Sequence, residues 1–65
     1  MNLAAASGFA NDVLSAFSHA QHVFTDPIFL ARFALSAIEV AAAPDDESKR
    51  GAAQGAVLRL QREFK

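Results

Sequence analysis

The chain has no cysteine, no tryptophan and no tyrosine, and only three glycines and two prolines in 65 residues. Without cysteine there is no disulfide to staple a small fold, no thiolate nucleophile and no closed set of soft zinc ligands. The scarcity of glycine leaves no phosphate-cradling loop. Net charge is scarce too: six cations against seven acids give −1, which offers no overall electrostatic attraction to nucleic acid or a lipid surface. The N-terminus lacks the basic stretch of a secretory leader, and Asp12, Asp26, Arg32 and Glu39 interrupt every apolar run long enough to span a bilayer. The expectation is a chain with no transmembrane segment and a cytoplasmic location.

What is present is apolar. Hydrophobic residues make up 52% of the chain, with six phenylalanines and many alanines, above the usual globular share of about 45–50%. The bias to alanine and arginine points to a GC-rich bacterial or phage genome. A chain this short buries only about 60% of its unfolded surface, and a single core supplies roughly 3–5 kcal/mol. With disulfides and structural zinc excluded, oligomerisation is the staple that remains.

Three helices are expected, at about residues 3–24, 27–43 and 46–64, in one helical domain covering 1–65. In the first, Phe9, Val13, Phe17, Ala20 and Phe24 recur at spacings of three and four and share a face, opposite a polar line of Asn11, Ser15, Ser18 and His22. Thr25-Asp26-Pro27 breaks it, because proline disfavours helical geometry at the preceding residue and has no N–H to donate. Asp26 then reads as an N-cap with Pro27 in the first helical position, and Pro44 ends the second helix. That second helix is the most informative segment: Ile28, Phe29, Leu30, Phe33, Leu35, Ile38 and Val40 point in nearly every direction, and the only polar line is Arg32, Ser36, Glu39. A helix apolar around most of its circumference needs to be surrounded, and two neighbours in a small bundle cannot do that. The third helix opens on Asp45-Asp46-Glu47, acids at the positive end of the helix dipole, and carries an apolar line of Ala53, Val57, Leu60 and Phe64.

The fold class expected is all-α: a small three-helix bundle, built as a helical hairpin plus a C-terminal amphipathic helix and completed by oligomerisation or a partner. Phe29, Phe33, Ile38, Val57, Leu60 and Phe64 are the interface candidates. Arg32 and Glu39, two turns apart on the apolar helix, lie either along its narrow solvent line or, if buried in an interface, as a polar pair that fixes register.

Charge is divided along the chain. Residues 1–47 carry one cation against six acids, −5, and residues 48–65 carry five cations against Glu63, +4, which combine to the net −1. Part of this division complements the helix dipoles. Arg59, Arg62 and Lys65 at the basic end are candidates to face an acidic partner. A basic helix following a hairpin superficially suggests a nucleic-acid reader, but its acidic entry would sit near phosphates, and Gln54 and Gln61 are its only base-reading amides. Membrane-surface binding by that helix is hampered by its thin apolar face.

His19 and His22, three apart, would neighbour each other on the first helix with Asp12 and Asp26 on adjacent lines, the beginning of a metal site. No third ligand has a defined position, and exposed histidines on a polar helix edge are the simpler reading. No metal or other cofactor is expected. The serines lack a positioned base, and three short helices make poor walls for a pocket, so an enzyme is not expected either. The functional expectation is a small non-catalytic protein–protein interaction module, an accessory subunit, adaptor or modulator that self-associates into a homo-oligomer or docks on a larger protein. The alternative is a small nucleic-acid-binding regulator using the basic helix.

Overall fold

Three short polar side chains open the three helices. In the computed structural model, which describes residues 2–64, the Asn2 side chain accepts a hydrogen bond from the Ala5 N–H at 3.1 Å, Asp26 from Ile28 at 2.9 Å and Asp45 from Ser48 at 2.7 Å. Each satisfies a backbone donor that the first helical turn leaves without a partner. The helices that follow are α1 (Leu3–Ala16), α2 (Pro27–Ala42) and α3 (Asp46–Phe64). Among the described residues there are no strands, so the fold is an all-α three-helix globule, 32 × 17 × 17 Å in extent.

The start of α1, the end of α2 and the start of α3 meet at one end of the molecule. The Asn2 N–H donates to the Ala41 carbonyl at 3.0 Å, and the Lys49 ammonium donates to the Ala43 carbonyl. Both satisfy acceptors at the negative end of α2. The hydrogen bonds from the Ser48 backbone and side chain hold the Asp45 carboxyl below its ordinary pKa, because they favour the charged form.

The first helix is shorter than its sequence pattern implies. It stops at Ala16, the chain turns through Phe17, Ser18 and His19, and Gln21–Thr25 forms a separate 3-10 segment. A helix running to residue 24 would be about 33 Å long at 1.5 Å per residue, roughly the greatest dimension of the molecule, with its last turns projecting past α2. The break folds that end back: Val23 becomes buried, and Phe24 packs edge-on against Phe17 and Phe29 at centroid distances of 6.5 and 5.5 Å.

All six phenylalanines turn inward. Phe29 is the hub, completely buried and in edge-to-face contact with Phe17, Phe24 and Phe64, while Phe33 stacks on Phe9 at 5.5 Å. Val13, Val23, Val40, Ala56 and Leu60 complete the buried cluster. The isoleucines and all but one of the leucines behave in the opposite way. Leu3, Leu14, Ile28, Leu30, Leu35, Ile38 and Leu58 are all exposed, and Leu60 is the only leucine in the core.

Candidate interaction surface

Two apolar stripes run along α2. Phe29, Phe33, Ser36 and Val40 repeat at spacings of four, three and four and face the core, and buried Ser36 provides a small residue there. Ile28, Ala31, Leu35, Ile38 and Ala42 repeat at three, four, three and four on the far side of the same cylinder, and every one of them is exposed. Ile28 is 60% exposed, Leu35 62% and Ile38 51%, with Leu30 at 43% and exposed Ala34 beside them. The spacing is that of a two-helix seam, in which alternate steps of three and four keep one line of side chains turned toward a neighbour. Here no neighbour among the described residues covers it. The strip is as long as the helix, about 24 Å for 16 residues at 1.5 Å each.

The polar line of α2 flanks this strip on the side toward α3. Arg32, Leu35, Ser36 and Glu39 line a groove of about 300 Å³ with Ala56, Arg59, Leu60 and Glu63. The Arg32 guanidinium bonds the Glu63 carboxylate at 2.6 Å, the one ion pair among the described residues, and it is open to solvent. Arg32 and Glu39 are therefore not each other's partners. The polar line runs beside α3, where Arg32 and Glu39 stay exposed and Ser36 is buried, and the rest of the exposed side of α2 is apolar.

The other interface candidates are reassigned by burial. Phe29 and Leu60 are core residues, and Phe33, Val57 and Phe64 are half-buried against the same core. Packing of α1 and α3 consumes them: Phe29 and Phe64 meet edge-to-face, Phe33 stacks on Phe9, and Val57 and Leu60 pack with the same cluster. Ile38 alone of the six stands on the exposed strip. Ile28 and Leu35, its companions, were detectable from the seam spacing, since that stripe and the phenylalanine stripe are both complete in the sequence and only one can face inward.

The cations of α3 do not gather on one face. Arg59 lies in the α2–α3 groove with Glu39 and Glu63, whereas Lys49 and Arg50 border a second groove, between α1 and α3, together with Asp12 and Asp46. Arg62 is exposed, and Lys65 lies outside the described residues. His19 sits in the turn after α1 and His22 on the 3-10 segment, both exposed, so they do not share a helix face as the sequence spacing implied. Among the described residues no three histidines or carboxylates cluster in a way that would hold a metal ion, and no helix is long and apolar enough to cross a membrane.

No protein-family model matches the chain, and searches of curated proteins and of solved structures find no match.

Proposed function

We propose that the protein is a small non-catalytic interaction module whose docking surface is the outward stripe of α2. The observation that carries this reading is the segregation of apolar residue types: every phenylalanine is inside, while Ile28, Leu30, Leu35 and Ile38 line the exposed side of one helix. Scattered exposed leucines are ordinary on a protein surface. A continuous apolar strip with charged residues along its edge is not, and such patches mark contact sites. Leaving it in water forgoes roughly 25 cal/mol for each Å² that a partner would cover. The module works by presenting a rigid, preformed helix face, so little ordering is needed on binding.

The test is site-specific photo-crosslinking in the cells that produce the protein. A photoreactive residue at Leu35 or Ile38 should give discrete protein adducts, whether with a second copy or with another chain, and Ile38→Glu or Leu35→Glu, at the other of these two positions, should remove them. The same probe at Gln54, exposed on α3, should give none. No adducts from the α2 positions, or adducts equal to those from Gln54, would refute the reading.

A further inference from the structure

We infer that the occupant of the α2 stripe is a second copy of this chain, lying antiparallel across a two-fold axis at the height of Ser36 and Ala37. This rests on the docking surface proposed above and names its partner. One register pairs the four positions of the stripe from Ala31 to Ala42 at once, with Ile28 lying beyond the paired length, past the Ala42 end of the second copy. When two α2 helices cross antiparallel so that Leu35 faces Ile38 of the second copy, the symmetry also sets Ile38 against Leu35, and Ala31 against Ala42 at both ends. Large pairs then occupy the centre and small pairs the flanks, which lets the helices approach closely along their length.

The same register brings the charges together. Arg32 and Glu39 are seven residues apart, so they occupy equivalent positions on the same edge of the seam, and they carry opposite charge. In an antiparallel pair those edges run side by side, which places Arg32 next to Glu39 of the second copy and Glu39 next to Arg32. Charged residues at such flanking positions set partner choice and orientation in helix pairs. A parallel arrangement would place each of them beside the alanines at 34 and 41 instead, with no gain. Glu39 has no ion-pair partner among the described residues, and the Arg32 contact with Glu63 is exposed enough to share or exchange. The remainder of the groove, Arg59 and Glu63, is also balanced in sign, so two copies meet without net repulsion. A surface this narrow lies at the small end of stable interfaces, so the expected dissociation constant is micromolar.

Sedimentation over a concentration series tests the proposal, with circular dichroism confirming that each variant stays helical; Leu35 and Glu39 are exposed and can be replaced without opening the core. The parent should sediment as a monomer–dimer equilibrium, and Leu35→Glu should sediment as a monomer. Glu39→Arg presents two cations on the edge and Arg32→Glu two acids, so each alone should associate at least tenfold more weakly than the parent. Mixed in equal amounts, the two variants should restore dimerisation. A parent that stays monomeric at all concentrations, a Leu35→Glu dimer as tight as the parent, or a mixture no tighter than its components would each overturn the proposal. A monomeric parent whose Leu35 probe still crosslinks to another protein would refute the self-pairing and leave the docking surface standing. A monomeric parent with no crosslinks would refute both.

Discussion

Phe29 touches three other aromatic rings and no solvent, which makes it the residue on which this small core depends. Truncating a buried phenylalanine to alanine costs about 3–5 kcal/mol through lost transfer energy and the cavity left behind. That is comparable to the whole net stability of a domain this size. Phe29→Ala should therefore abolish the cooperative thermal transition followed by circular dichroism. Phe33→Ala should leave a folded protein with a lowered midpoint, because that ring is only partly buried and stacks on Phe9 alone. The melts should be compared at one protein concentration, since association raises apparent stability. Asp45 gives a second prediction at this scale. Its folded-state pKa lies below the ordinary value of 3.8, through the hydrogen bonds from Ser48. A depressed carboxyl contributes stability above its unfolded pKa and loses it as pH falls through the folded one. The parent should thus lose a stabilising increment on acidification below about pH 3.8, and Asp45→Ala should start with a lower midpoint near neutrality and show a shallower acid-side decline.

At the scale of elements, the informative comparison is between α1 and α2. Both have strong local starts, but only α2 has a strong local stop, Pro44. The end of α1 carries neither glycine nor proline, and the chain leaves the helix there because Val23 and Phe24 gain more by folding onto Phe17 and Phe29 than by extending into water. If so, the 3-10 segment is held by burial of Val23 rather than by local propensity. Val23→Ala should destabilise the protein by about 1–3 kcal/mol in denaturant titrations and loosen Gln21–Thr25 first, seen as faster amide exchange there than in α2. Ser15→Ala, on the exposed side of α1, should be nearly silent.

At the scale of the whole molecule, two imbalances of the sequence resolve differently. The split between an acidic N-terminal part and a basic C-terminal part is partly offset on folding, since Asp12 of α1 and Glu39 of α2 border the same grooves as Lys49, Arg50 and Arg59 of α3. Interleaving of sign in these grooves weakens the focused positive potential on which counterion release from nucleic acid depends. The parent should accordingly leave random duplex DNA unshifted at low salt, and replacing Arg59, Arg62 and Lys65 with glutamine should leave helicity unchanged, because isolated surface charges contribute about 1 kcal/mol or less. The apolar imbalance, by contrast, survives folding: α2 keeps a stripe that nothing among the described residues covers.

The sequence by itself determined the fold class, the starts of all three helices and the end of the second, because caps, prolines and acid placement act within a turn of where they stand. It also established that α2 has more apolar circumference than its neighbours can bury. Which stripe faces inward was a matter for tertiary structure alone. The phenylalanine stripe and the isoleucine–leucine stripe are both well formed, and the choice rests on rings from the end of α1, the 3-10 segment and α3 converging on Phe29, contacts that join residues up to 35 positions apart along the chain. That choice made Phe29 and Leu60 core residues and set Ile28, Leu35 and Ile38 outside. It also placed Arg32 beside Glu63 instead of Glu39. Long-range packing likewise ended α1 at Ala16, a boundary that no local signal encodes, because the energy that sets it comes from burying Val23 and Phe24 against residues of other elements.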